Sequence, residues 1–414
     1  MIVIRTTSGF LREDKDDVMA KFLLFLLSPL LGFIYSLRRI NTKSSFIIFF
    51  LFSLCFGMCF TPSKCSMYID GQNYQELFLE SINMNDITFE NKFKEYITFN
   101  SDEKDIYAEA LSFYVSRITN NYHIFFFVAS IIFSFFQLKT FKYLVKEKEF
   151  DNSYISLILC YLFVNITIFN INGIRFWTGY WVAMFALFKI FRDNNYKYII
   201  LLIIAPLFHG SLWILLALVI VTILTKKYYN IWIMLYFVSF FIGHVAFTII
   251  GEITEYLPTF LQNFANDYTT EAQIERITSK GTGFSFIGIF CRYLIDIFFF
   301  ISMMIIISNK EKIIKDSRSK NIFGLLLVLI TFANFVSTVP SLGARFVMFT
   351  YPLIAYILLL CIKDYKRMYS LLIAFVPLYF FMRIYQTLKL YIETLNIDFF
   401  ISSPIYLLGK YLLF

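Results

Sequence analysis

The stretch NINGIRFWTGYWVAMFALFKIF, residues 170–191, has the length and apolarity of a membrane-spanning helix, yet near its start stands the permanent cation Arg175. Gly179 and Ala183 follow the arginine at successive spacings of four, which places them on its helix face. Small residues there let another helix approach closely, so the spacing points the guanidinium into protein and away from lipid. Read alone, the same residues also fit an arginine reaching to the headgroups, with Trp177, Tyr180 and Trp181 as an interfacial aromatic belt.

The rest of the chain favours a membrane in either case. Of 414 residues, 58% are hydrophobic and 16% charged, with 53 Phe and 28 Tyr. Apolar runs long enough to cross about 30 Å of hydrocarbon recur throughout. Backbone groups in hydrocarbon must be satisfied within each span, so the expected fold is all-α, a polytopic helix bundle with about twelve transmembrane helices. The expected spans lie near 22–37, 45–60, 122–138, 154–171, 173–190, 197–209, 211–225, 230–250, 284–307, 322–337, 346–362 and 369–385. Together they form one transmembrane domain, 22–385, between an N-terminal segment, 1–21, and an amphipathic C-terminal tail, 386–414. No partner pattern is evident in residues 1–18, and Met19 is a plausible native start.

Orientation follows from Lys and Arg. The loops RRINTK, KTFKYLVKEKE, KIFRDNNYK, Lys226–Lys227, NKEKIIKDSRSK and KDYKR are expected in the cytoplasm by the positive-inside rule. The N-terminus and every other connection then face outward, including the large loops 61–121 and 251–283. In the first, DIYAEALSFYVSRI carries Ile106, Ala110, Phe113 and Tyr114 on one side, the pattern of a helix lying on the membrane surface. Long outer loops suggest that the chemistry is on the outer face.

The net charge of +8 is accounted for by these loops, so nucleic acid is not an expected partner; the lipid bilayer is. Of the six cysteines, all but Cys65 fall in apolar segments without metal or redox spacing. The one DxD, Asp14 to Asp16, lies in the N-terminal segment before the first expected span, no HExxH occurs and carboxylates are not clustered with histidines, which gives metal catalysis no support, and no nucleotide-binding or GxSxG signature is present. The chain offers no cofactor site.

What remains is Arg and His at outer helix ends. Arg175, His209 and Arg345 are the candidate catalytic residues, expected to share one outward pocket suited to an anionic substrate. His209, in APLFHGS, reads either as an imidazolium capping a helix C-terminus or as a neutral proton acceptor beside the arginines. Arg345 reads alternatively as an interfacial anchor. Arg292 has Asp296 one turn on and could be neutralised internally. Asp70 and Tyr74, one turn apart in DGQNYQELF, could bind sugar hydroxyls, and Arg276 in the loop 251–283 and Tyr351 complete the candidate substrate-binding set.

These elements resemble the Wzy-like polysaccharide polymerases, particularly the EpsG-type branch. The resemblance rests on Asp70 and Tyr74 after the second span, Arg175 with Gly179 four positions on, APLFHGS from Ala205 to Ser211, and Arg345 to Tyr351. The family often has Gln after the first arginine, where this chain has Phe176. The resemblance implies a GT-C-like membrane enzyme of the bacterial inner membrane. Such an enzyme transfers a growing glycan from undecaprenyl diphosphate to a lipid-linked repeat unit, without metal or nucleotide. A membrane protein that regulates chain length commonly accompanies it. By the same resemblance the arginines hold the diphosphate, and His209, or Asp70, takes the acceptor's proton. A ligase using the same donor and a lipid-linked oligosaccharide flippase or other transporter are the alternatives.

Overall fold

The structure, a computed structural model, describes residues 10–62, 70–98, 100–101, 105–242, 285–339, 341–362 and 397–413, with single positions at 249, 252, 256 and 262. Among these residues all named elements are helical. Three stretches are long and apolar enough to cross a membrane, Tyr122–Val145, Tyr154–Arg192 and Leu342–Cys361, and shorter apolar helices pack around them. Large apolar side chains such as Met234, Phe237 and Phe241 stay exposed, as they do on a surface that meets lipid.

The first expected span is a hairpin. Helix α1 (Lys15–Leu27) stops at Ser28, whose backbone turns to φ −157° and ψ 134°, and Pro29 begins α2 (Pro29–Ser36). Thirteen residues of helix rise roughly 20 Å, short of a crossing. The chain then returns to its starting level: Asp17 lies 3.9 Å from Arg39, and Lys21 donates to Thr42 and Ser44 at 3.0 Å each. Residues 10–21 of the N-terminal segment therefore lie at the same end as RRINTK, correcting their expected placement at the opposite end. Residues 10–21 also have partners. Glu13 pairs with Lys21 and accepts from Ser44, the Leu11 N–H donates to the Asn41 carbonyl at 3.0 Å, and Phe10 packs on Phe46.

From there α3 (Lys43–Cys59) runs up against α7 (Tyr122–Val145). A β-carbon at Gly57 would stand 2.5 Å from Ser130 Cβ, so this crossing needs glycine. Between them three helices cap the far end: α4 (Asp70–Asn83), α5 (Asp86–Ile97) and α6 (Tyr107–Ser116). Helix α6 does not lie alone on a membrane surface as its pattern suggested. It buries Ala108, Ser112, Phe113, Val115 and Ser116, with Phe113 stacked on Phe89 at 4.0 Å, while Tyr114 is exposed.

Only the first half of the expected span 154–171 is regular: α8 (Tyr154–Phe163) gives way to irregular backbone and a 3-10 turn over Ile168–Gly173. The break is tolerated because it is buried in protein and a carbonyl at its centre is matched twice. The Ile166 carbonyl accepts from Gln137 Nε2 at 2.7 Å and Trp181 Nε1 at 3.1 Å. Helix α9 (Ile174–Leu187) follows, continued by a π turn over Phe188–Arg192. Tyr180 and Trp181 are fully buried in its core and are not an aromatic belt.

Next come α10 (Ile199–Phe208), α11 (Leu212–Thr225), α12 (Tyr229–Ile242), α13 (Ser285–Ser308), α14 (Lys310–Lys315), α15 (Lys320–Phe335) and α16 (Leu342–Ile362). The described part of the tail is not a free amphipathic segment. Its short helices α17 (Asp398–Ile401) and α18 (Pro404–Leu408) join the bundle, with Phe399 buried against Phe52 and Phe56. The expected span 369–385 lies outside the described residues.

Five basic loops meet at one end. Arg318 pairs with Glu147 at 2.7 Å and Glu149 at 2.9 Å, and Arg192 with Glu147 at 2.8 Å. Asn152 bonds Asn41, Lys226 bonds Tyr196, and Lys310 bonds Asn230. KDYKR lies outside the described residues. The connections expected on the other side meet at the far end, where Gly71 joins Asn172 and Ile106 joins Leu207.

Candidate active site

The far end of α9 is the hub. Arg175, in its first turn, is held on two edges. Its Nε–H donates to the Tyr74 hydroxyl at 3.1 Å, and Nη1 donates to both Asp105 oxygens at 3.2 and 3.3 Å. Among the described residues nothing hydrogen-bonds the Nη2 edge, and the side chain is 37% exposed while Asp105 is 2% exposed. The guanidinium is thus fixed by protein and open on one side. Its partners are side chains of the cap and its connection, so protein sets the direction it faces.

Each partner is placed by its own local structure. The cap helix α4 begins where the Gly71 N–H donates to Asn172 Oδ1 at 2.9 Å, and a β-carbon at Gly71 would come 2.6 Å from that oxygen. Tyr74 follows one turn later, 4% exposed, and Asp70 stands on the exposed rim. Burial pushes the Tyr74 hydroxyl up to about 12, partly opposed by Arg175 and reinforced by Asp70. The phenol therefore stays protonated and, while accepting from Arg175, keeps a proton to donate. Asp105 is fixed from the other side: the next residue, Ile106, donates its N–H to the Leu207 carbonyl at 3.1 Å, and Tyr107 packs on Phe208 at 4.4 Å.

The same turn of α9 carries Phe176, buried between two other candidates. The Arg345 guanidinium lies over its ring at 4.9 Å, and the His209 ring meets it edge-on at 5.2 Å. The residue that replaces the family's frequent Gln thus joins His209 to Arg345. His209 leaves α10 in extended backbone, φ −162° and ψ 124°, and its Nδ1 faces the Ser211 N–H at 3.2 Å and Oγ at 2.8 Å. Gly179 lets this corner sit on α9, since a β-carbon there would be 2.8 Å from Phe208 Cβ and 2.7 Å from Leu212 Cδ1. Arg345 is set by a tight turn in which Ser341 takes φ 67° and a β-carbon on Gly343 would strike the Val336 carbonyl at 2.7 Å.

Arg175, Tyr74 and Asp70 therefore gather on one side of this turn, and His209 and Arg345 on the other. Tyr351 is elsewhere, buried and stacked on Phe299 at 4.0 Å. Arg292 lies in α13 with its side chain outside the described set, Asp296 four residues on is exposed, and Arg276 is outside the described residues altogether. Sequence reasoning missed Asp105. It sits in SDEKDIY among other charges, and nothing in that string marks Asp105 as buried. Among the described residues no three His, Cys, Asp or Glu side chains converge to hold a metal ion.

The sequence profile of the EpsG family matches residues 46–400. The chain belongs to the EpsG family. No curated protein and no solved structure matches it. The matched span contains the whole hub, from Asp70 through Asp105, Arg175 and His209 to Arg345. Family and apolar helices together make this EpsG-family chain a membrane protein of polysaccharide biosynthesis.

Proposed function

We propose that the protein is a polysaccharide polymerase of the bacterial inner membrane. It transfers a growing glycan from undecaprenyl diphosphate to a lipid-linked repeat unit, on the face opposite the basic loops and without a metal ion. The carrying observation is Arg175: a cation fixed by Tyr74 and Asp105 with its Nη2 edge open, at the end of the bundle where the cap helices gather. A planar fork with one free edge suits a diphosphate oxygen, and the Tyr74 O–H beside it supplies a second donor. Arg345, across Phe176, adds positive charge to the same end of α9.

In this reading the acceptor hydroxyl attacks the anomeric carbon as the bond to the diphosphate breaks. Charge growing on the leaving oxygens is met by donors already in place. By residue type, His209 and Asp70 are the two candidates for the hydroxyl proton. Holding two lipid-tethered reactants in one membrane plane supplies much of the rest. A chain-length-regulating membrane protein is the expected partner.

The test is the surface glycan of a deletion strain run on gels. Single capped repeats, restored to long polymer by the intact gene, are the expected result. Long chains left on carrier lipid indicate a ligase, units trapped in the cytoplasm a flippase, and unchanged polymer removes the proposal.

A further inference from the structure

The corner APLFHGS carries information about His209 that its residue type does not. The Ser211 N–H can only donate, and it donates to His209 Nδ1 at 3.2 Å, with Ser211 Oγ 2.8 Å from the same nitrogen. An imidazolium has N–H on both nitrogens and would set Nδ1–H against that backbone N–H. The geometry fits a neutral ring with its one proton on Nε2. This is the imidazole form of an Asx turn, in which a side-chain acceptor takes the N–H two residues on. It is built into the fold: Ser211 is buried as the residue before α11, and the Leu212 N–H bonds the His209 carbonyl at 2.9 Å.

We infer that His209 serves the transfer as a fixed Nε2–H hydrogen-bond donor to the departing diphosphate and not as the base for the acceptor hydroxyl. The inference rests on the polymerase reading above and deepens it. The lone pair a base would need is on Nδ1, engaged by the Ser211 backbone, while the nitrogen on the far side of the ring already carries hydrogen. A neutral imidazole held by its second nitrogen is an effective electrophile toward developing oxyanions. The ring shares Phe176 with Arg345, so the donor stands beside a cation at the same end of α9.

The step balances as follows. The acceptor oxygen bonds the anomeric carbon, the bond from that carbon to the diphosphate oxygen breaks, and its electron pair leaves with the diphosphate. The Nε2 proton stays on nitrogen and is shared with a diphosphate oxygen. The hydroxyl proton goes to a carboxylate, for which Asp70, on the exposed rim beside Tyr74, is placed.

Two measurements test this on the full-length protein in lipid. Nitrogen NMR of histidine-labelled protein, with His209→Gln assigning the signal among three histidines, should show unprotonated Nδ1 and protonated Nε2 at neutral pH. A protonated Nδ1 overturns the inference. Glycan elongation should fall about tenfold or more in His209→Ala, as for loss of a hydrogen bond to a charged group. It should recover most of that in His209→Gln, whose amide reaches as far as Nε2 but takes no proton, and not in His209→Asn, whose amide reaches only to Nδ1. Elongation as poor in His209→Gln as in His209→Ala, with active wild type, overturns the donor role alone. Wild type that binds lipid-linked units yet elongates nothing overturns the polymerase reading and the donor role with it.

Discussion

The two ends of this bundle treat arginine in opposite ways. At the basic end Arg318 bonds Glu147, Glu149 and Asp316, and Arg192 bonds Glu147, Asp193 and the Tyr356 hydroxyl, so carboxylates or a phenol meet every edge of each guanidinium. At the far end Arg175 has one carboxylate, one phenol and an open edge. Saturated arginines join loops and have nothing left to offer a ligand. An arginine fixed on two edges and open on the third is built to receive an anion, and its partners set the direction it faces.

The contrast is broken most severely by truncation at each end. Arg175→Ala should reduce polymer synthesis by about 100-fold or more, the scale for losing a charge-stabilising donor, in protein that still reaches the membrane although the buried Asp105 loses a partner. Arg318→Ala should do the reverse. It takes a shared partner from Glu147, Glu149 and Asp316, costs about 3 kcal/mol of stability, and shows as lost protein in fluorescence-detected gel filtration before any effect on turnover. Arg175→Lys should recover only part of the activity, because a point charge does not reproduce the fork.

Smaller changes sharpen the comparison. Asp105→Asn keeps size but weakens the hold on Nη1, and elongation should fall about tenfold as the guanidinium loses its aim. Tyr74→Phe removes one hydrogen bond, about 1 kcal/mol, and should lower elongation only a few-fold. The smallest effect is of pH on the basic end. Burial alone would raise Asp193 and Asp316, but Tyr143, Arg192 and Lys189 on the first, and Arg318 on the second, hold both below the ordinary 3.8. A lowered carboxylate stabilises the fold above its unfolded value and loses that contribution as pH falls through the folded one. Melting temperature should therefore be flat from pH 7 to about 5 and drop only below about 4.

Much of this arrangement was legible in the chain. Helical class, the gathering of basic loops at one end and a close helix approach at Gly179 follow from hydropathy, Lys and Arg counts and spacing, whereas the bond of Tyr74 to Arg175 and the place of the His209 corner on Gly179 do not. The hairpin at Ser28 was not legible: the largely apolar run 22–37 looks alike whether it crosses or turns back, and what decides is the pairing of Asp17 with Arg39 across the turn. Asp105 and Glu147 were hidden for a related reason, since a buried carboxylate in a charged string differs from its neighbours only by its tertiary partner. Phe176 was noticed as a substitution, but its place between His209 and Arg345 is a property of three helices that no local pattern reports.

The most direct test of the central claim is a binding titration of a polyprenyl diphosphate against the purified protein in nanodiscs, wild type beside Arg175→Ala. If the open edge of Arg175 receives the diphosphate, the wild type binds and the variant, folded in the nanodisc, binds about 100-fold more weakly. Equal affinity in the two proteins would contradict it and return Arg175 to the work Arg318 does at the other end, that of holding helices together.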